Sequence, residues 1–277
     1  MILSCLPVSY FPAMLRGEMS VEGFAAEARA LGLQAIDLSI LLLEGRGPRG
    51  LSALRRAVES EGLFVNMVTC YPDYTHPEGA ERERQAEQAR AAIDASAAVG
   101  ARLVRLTAGQ AHAGLPREQG IQRTVQGLLE AAAYAEVRGL RPVFENHARP
   151  GVWERFDFCY PTDLFLAVVR ATEGSGLGVN FDTANTLAYG DDPLPVLRSV
   201  RHRLACIHAA ETRARGRFEP VVLGTGEVPF RAIFRYLRES GYNGPVSIEE
   251  AGGRGPEGLR IAVELVRRLW NEEDLHE

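Results

Sequence analysis

Eight short β-like runs alternate with helical runs from one end of the sequence to the other. No other feature restricts the possible folds as much. The runs are Ile2–Pro7, Gln34–Leu38, Phe64–Val68, Leu103–Leu106, Pro142–Asn146, Gly178–Phe181, Ala205–His208 and Val246–Glu249. Each gap is long enough for one crossover helix, as parallel pairing of neighbouring strands requires. The intervening stretches carry a 3.6-residue apolar period: Val21, Phe24, Ala25 and Ala28; Ile121, Val125, Leu128, Leu129 and Ala132; Phe230, Ile233, Phe234 and Leu237; Leu259, Ala262, Val263 and Val266. Each such stripe is expected to pack on a sheet. Gly32, Gly62, Gly100, Gly139 and Gly241 each follow a helical run and precede a strand, where a left-handed cap is commonly glycine. Eight such units build either a closed barrel or a doubly wound open sheet. No Gly-x-Gly-x-x-Gly follows the first strand and no Walker motif occurs, which removes the usual marks of the open nucleotide-binding sheets. The 277 residues also suit one (β/α)₈ TIM barrel of about 250 residues. The sequence therefore predicts an α/β fold, a single barrel domain over residues 1–277.

Composition excludes several chemistries. All 31 basic residues are arginine, so Schiff-base formation and a lysine general base are ruled out. Net charge is −5 with no basic stripe, which argues against a nucleic-acid partner. Cys5, Cys70, Cys159 and Cys206 form no Cys-x-x-Cys pair, so neither a zinc knuckle nor a thioredoxin motif is present; Cys5 and Cys206 are expected to be buried thiols. There is no leader-like start and no apolar run near the roughly 20 residues a membrane helix needs. A cytoplasmic protein without a membrane partner is expected.

In barrels of this kind the active site lies at the C-terminal strand ends. Four consecutive strands finish on a carboxylate or an imidazole: Phe144-Glu145-Asn146-His147, Asn180-Phe181-Asp182-Thr183-Ala184-Asn185, Cys206-Ile207-His208-Ala209-Ala210-Glu211 and Ser247-Ile248-Glu249-Glu250. Three carboxylates converging on one barrel mouth repel one another, and a divalent cation removes the conflict. Oxygen ligands with one imidazole suit manganese first, with magnesium, cobalt or zinc as alternatives. Strand alternation puts Val143, Glu145 and His147 on one face, pairs Cys206 with His208 and Ser247 with Glu249, and turns Glu250 away.

With these motifs, with Gly224-Thr-Gly-Glu-Val-Pro-Phe230 and with Gly241-Tyr-Asn-Gly-Pro-Val-Ser-Ile-Glu249, the chain resembles the xylose-isomerase-like sugar isomerase and epimerase superfamily along nearly its whole length. The resemblance implies one divalent metal ion on Glu145, Asp182, His208 and Glu249. It further implies that Glu145 and Glu249 are the catalytic acid–base pair, moving a proton through a cis-enediolate of a small keto-sugar, sugar phosphate or hydroxy-keto acid. The residues expected to bind substrate are His147, Asn185, Glu211, Arg217 and Trp153. His147, Asn185 and Glu211 could equally support the ligands from behind, and Trp153 could form a lid or meet a neighbouring subunit. The resemblance also implies a homodimer or homotetramer. The chain departs from the pattern at Asn185, where some epimerases carry histidine, at Ala210-Glu211 in place of Lys-Asp, and in the Arg149–Phe156 loop; these differences bear on the substrate. The alternative activity is dehydration of an inosose or dehydroshikimate-like ketone. Two less favoured alternatives are an apurinic-site endonuclease, which needs extra histidines for a three-metal cluster where the chain has six in all and Asn185 at a position that would want one, and a metal-binding protein without catalysis, which the intact glutamate pair disfavours.

Overall fold

A computed structural model describes residues 1–272. Eight parallel strands form a nearly closed barrel: β1 (Ile2–Leu6), β2 (Ala35–Ser39), β3 (Phe64–Thr69), β4 (Leu103–Leu106), β5 (Arg141–Glu145), β6 (Gly178–Asp182), β7 (Leu204–Ala209) and β10 (Pro245–Glu249). The ladder runs β1-β10-β7-β6-β5-β4-β3-β2. No ladder joins β1 to β2. That seam is held by Gln34, whose amide donates to the Leu3 carbonyl at 3.0 Å and whose Oε1 accepts from the Leu3 amide at 2.9 Å, and by Ser4 Oγ, which donates to Asp37 at 2.7 Å. A short antiparallel hairpin, β8 (Thr212–Ala214) with β9 (Arg217–Pro220), stands above the mouth after β7.

Helices between the strands cover the outside, as right-handed βα crossovers require. All five capping glycines adopt positive φ, from 65° to 78°, and end helices where the sequence placed those ends. Three apolar stripes face the barrel as expected: Val21, Phe24, Ala25 and Ala28 in α2 (Val21–Ala30), Phe230, Ile233, Phe234 and Leu237 in α9 (Phe230–Glu239), and Leu259, Ala262, Val263 and Val266 in α10 (Gly255–Asn271). In α5 (Arg117–Val137) the buried face is rotated to Gly120, Thr124, Leu128, Ala131, Ala132 and Ala135, leaving Ile121, Val125 and Leu129 half-buried. The rotation makes room for an aromatic ring. A Cβ on Gly120 would lie 2.2 Å from the ring of buried Phe158, so only glycine admits that ring against the helix.

A small apolar cluster of Met67, Leu103, Val143, Ala205 and Cys206 is separate from the main core. Val143 lies two residues below Glu145 and Cys206 two below His208, so strand alternation makes this cluster the floor of the mouth. All four cysteines are buried and unbridged. Among the described residues no helix is long and apolar enough to cross a membrane.

Candidate metal centre

Glu145, Asp182 and Glu249 are the last residues of β5, β6 and β10, and His208 is the penultimate residue of β7. The ladders pair Asp182 with His208 and Ser247 with His208, which sets the four side chains at one height. One ligand atom from each lies within 4.8 Å of all the others. His208 Nδ1 is 3.0 Å from Glu145 Oε1 and 2.7 Å from Glu249 Oε2, yet neither contact is aligned as a hydrogen bond. Both oxygens of Glu145 and both ring nitrogens of His208 are buried without an aligned partner. Buried polar groups are nearly always satisfied. The unpartnered atoms of Glu145 and His208, with a carboxylate oxygen of Asp182 and of Glu249 beside them, fit a divalent ion.

The surrounding residues fix the ligands. Asp182 Oδ1 accepts from the amides of Ala184 and Asn185 at 2.8 and 2.7 Å, which orients its second oxygen. Asn146 bridges two strand ends: its Oδ1 accepts from the Asp182 amide at 2.8 Å and its Nδ2 donates to the Asp182 carbonyl at 2.9 Å. Two buried charges stand behind the ligands. Arg105, on β4, lies with Nε 2.9 Å from Glu145 Oε2 and its guanidinium 4.8 Å over the Tyr71 ring. Asp37, on β2, has Oδ2 3.6 Å from His208 Nε2, while Ser4 and Asn66 donate to its Oδ1. Neither Arg105 nor Asp37 was among the expected site residues. The available signal was a charge inside an otherwise apolar strand run, Leu103-Val-Arg-Leu and Ala35-Ile-Asp-Leu.

Electrostatics separate the four ligands. Burial raises the Glu145 pKa, but Arg105 and then His208 outweigh it and hold the carboxyl down at about 2. Burial, then the charges of Glu249 and Glu145, push Asp182 well above its ordinary value. Burial alone would lower His208, yet Glu145, Asp37 and Glu249 around it hold the imidazole well above its ordinary value. Asp182 and His208 both bind protons more tightly folded than unfolded. The contribution of His208 to the stability of the metal-free protein is therefore fully present below about pH 6.5 and that of Asp182 below about pH 3.8, their unfolded values, and each is lost as pH rises through the folded value. A metal ion must displace those protons. The expected result is that binding of Mn²⁺ releases protons, seen as a buffer-dependent heat in calorimetry, and that the gain in melting temperature on adding metal grows with pH. Chelation should lower the melting temperature and leave the far-UV circular dichroism intact, because the barrel has its own core. Asp37→Asn should weaken metal binding about 10- to 100-fold, the usual cost of removing the carboxylate behind a ligating histidine. Unchanged metal affinity in that variant would show that Asp37 does not orient His208.

The remaining expected residues are dispersed. His147 is buried beside the centre, its Nδ1 3.8 Å from Asp157 Oδ2 and its ring edge-on to Trp153 at 6.2 Å; burial, then Arg105, lower it to about 3, so it is neutral. Asn185 and Glu211 line a small cavity against Asp182 and Glu249. The Glu211 oxygens accept from the amides of Thr212, Gly224 and Val228 at 3.0 to 3.2 Å, so this carboxylate organises the loop through residue 228. Gly226 belongs to the same arrangement: a Cβ there would lie 2.0 Å from the Thr212 carbonyl oxygen. Arg217 is exposed on β9 and pairs with Glu219 at 2.5 Å. Glu250 points away from the centre, as alternation required, but it is buried, accepting from the Gly252 amide at 2.7 Å and from Ser9 Oγ. It is an anchor for two loops, and Glu250→Gln is not a structurally silent change. His112 is tied to Asp73 at 2.8 Å and meets His76 edge-on at 5.0 Å.

Comparison with known proteins agrees with the barrel fold. An inosose dehydratase from Clostridium beijerinckii is 26% identical over 141 residues, a stretch that covers 44% of this chain and 44% of that protein. A structure of the IolI protein with a bound zinc atom superposes with a TM-score of 0.81 at 13% identity, covering 98% of this chain and 100% of the other. D-psicose 3-epimerase from Clostridium cellulolyticum H10, solved with D-tagatose, gives 0.78 at 15% identity over 98% and 99% of the two chains. The two structural likenesses carry the fold alone. The model of the xylose isomerase-like TIM barrel family matches residues 25–269, and with the barrel and its strand-end cluster in place, the chain belongs to that family.

Proposed function

We propose that this protein is a metal-dependent lyase that removes water from a small polyhydroxylated ketone of the inosose type. The reading is carried by the asymmetry between the two glutamates. Glu145 is 1% exposed, with one oxygen 2.9 Å from Arg105 and the other 3.0 Å from His208. A carboxylate held at about 2 is a weak proton acceptor near neutral pH. Glu249, at 27% side-chain exposure, reaches the cavity and is the better base. A divalent ion on the four ligands would polarise the substrate carbonyl as a Lewis acid and balance the charge that develops there. Glu249 takes the proton from the carbon beside that carbonyl. The hydroxyl on the next carbon leaves, taking a proton from the same carboxyl group, and departs as water while the carbon–carbon double bond forms. Neutral His147 orients a substrate hydroxyl, and Asn185 offers its amide on the other wall of the cavity. The dehydratase relative supports this reading over the stretch it matches.

Isomerisation or epimerisation of a ketose is the second reading, favoured by the approach of both Glu145 and Glu249 to one His208 nitrogen, at 3.0 and 2.7 Å. Mass spectrometry of the manganese-loaded protein with an inosose, a dehydroshikimate-like ketone and a set of ketoses in heavy water separates the two. Loss of water marks the lyase. Solvent deuterium incorporated without loss of water marks the isomerase, and neither outcome with any substrate overturns both. A homodimer or homotetramer is part of this proposal. It is supported by the ring cluster of Phe156, Tyr160, Tyr189 and Phe218 beside the mouth, three of which are exposed; a monomer by light scattering at micromolar concentration would overturn it.

A further inference from the structure

Three arginines gather at the end of the barrel opposite the metal centre. Arg102 precedes β4, Arg141 opens β5 and Arg201 stands in the turn before β7. With Ile2, Tyr242 and Asn243 they line a cavity of about 220 Å³ under the strand starts. Arg141 continues the inward-facing row of Glu145 and Val143. Its Nε lies 3.3 Å from where a Cβ on Gly178 would stand, and Val143 Cγ1 lies 3.2 Å from the same point. The glycine thus leaves the arginine side chain room directly beneath the apolar floor. Four residues of extended strand, about 13 Å, separate Arg141 from Glu145, so this cavity and the metal centre are distinct sites.

The partners that hold these guanidiniums are neutral. Arg102 lies 3.5 Å over the Phe64 ring. Arg201 donates from Nε to Ser240 Oγ and from Nη2 to the Ser240 carbonyl, both at 2.8 Å, and stands 5.4 Å over the Tyr242 ring. No aspartate or glutamate lines the cavity, and among the described residues none forms an ion pair with any of the three. Other arginines of the chain do pair, as Arg16 with Glu18, Arg55 with Glu59 and Arg84 with Glu81. Three like charges around one cavity repel one another, and an anion between them removes the repulsion. The planar fork of arginine matches the oxygens of carboxylate and phosphate. A monocarboxylate offers one charge and two oxygens to three forks, whereas a phosphate dianion offers two charges and a tetrahedron of oxygens. The cavity is smaller than the roughly 300–1,000 Å³ of pockets for drug-sized ligands, so it suits a phosphate group and little beyond it. We infer that the N-terminal face of the barrel carries an anion site in which Arg102, Arg141 and Arg201 bind a phosphate dianion, free or as the end group of a phosphomonoester. The site is independent of the reaction proposed above.

The test is a binding measurement that does not depend on turnover. Inorganic phosphate, methyl phosphate and acetate are titrated into the manganese-loaded full chain at constant ionic strength set with sodium chloride, with calorimetry and the melting temperature as readouts. Phosphate is expected to bind saturably, to raise the melting temperature by mass action, and to bind about tenfold tighter than acetate or more, the worth of one further hydrogen bond to a charged group. Arg141→Gln and Arg102→Gln should each weaken phosphate about tenfold or more on the same grounds, with manganese affinity unchanged. Arg141→Gln should not lower the melting temperature of the phosphate-free protein, because it leaves no carboxylate unpaired. Phosphate is also a ligand for manganese, so the titration is repeated after chelation, and the same affinity is expected. No saturable binding, binding that disappears with the metal, binding that survives both substitutions, or binding no tighter than that of acetate overturns the inference. Methyl phosphate distinguishes the sources, and either result upholds the site: equal affinity for the two phosphates marks a site for the end of a larger molecule, and binding of inorganic phosphate alone marks a site for the free ion.

Discussion

Glu249→Gln is expected to lower turnover by about 10² to 10⁴, the usual contribution of a positioned general base, with little change in the thermal unfolding of the protein. The substitution keeps the shape and one neutral oxygen ligand, so manganese affinity should fall only modestly. Glu249 is the most exposed member of the four-residue cluster, and His208, the buried cation it faces, keeps Glu145 and Asp37 as partners when Glu249 is neutralised. Glu145→Gln should behave differently. It removes the charge partner of a buried guanidinium, so activity and stability should fall together. The comparison is made with steady-state turnover and a melting curve for each variant. If Glu249→Gln retains turnover within a factor of a few, it is not the base, and the lyase proposal fails at its central step.

Arg105→Gln should produce the largest loss of stability of any single change at the site. Arg105 and Glu145 are 2% and 1% exposed. Removing one partner of such a pair leaves the other charge uncompensated, at a typical cost of about 3–5 kcal/mol. The consequence should be conditional on metal. In the metal-free variant three carboxylates share the mouth with only His208 as counter-charge. With manganese bound the ion supplies the missing positive charge. The increase in melting temperature on adding manganese should therefore be larger in Arg105→Gln than in the parent protein. Arg105→Lys keeps the charge but loses the planar group that faces Glu145 and covers the Tyr71 ring, so it should recover only part of the stability. An equal metal-induced shift in parent and variant would show that Arg105 does not share the task of balancing Glu145.

The barrel was legible because its signals are local. A strand run, a helical stripe and a capping glycine each lie within a few residues of one another, and all eight strand candidates lie within about two residues of the observed elements. That Glu145, Asp182, His208 and Glu249 come together was legible for a related reason: the fold puts strand ends at one rim, so residues distant in sequence could be placed together without knowing any contact. Arg105 and Asp37 were not legible as site residues. Each sits inside a strand, and what makes it functional is a partner on another strand, Glu145 or His208, at a distance fixed by the register of the barrel. The same limit hid the role of Glu211, whose carboxylate is taken up by backbone amides as far away as Val228. It also hid Glu250, which alternation correctly turned from the centre but which packs under Ser9. The rotated face of α5 depends on the fit of one ring, Phe158, against Gly120, and a 3.6-residue pattern carries no information about that fit.

The open seam of the barrel divides the molecule into mechanically unequal halves. The candidate ligands come from β5, β6, β7 and β10, four adjacent strands on the uninterrupted part of the ladder, whereas β1 and β2 meet through side chains and a single backbone bond at Gln34. Breathing of the barrel is expected to concentrate at this joint, which has no strand ladder, and to leave the spacing of the four clustered residues least changed. One thread crosses this division. Asp37 stands on the seam strand and faces His208, while Ser4 holds it from across the gap. A splayed seam would draw Asp37 away from the imidazole without moving the other three ligands, which makes the seam a place where remote strain is transmitted to one ligand alone.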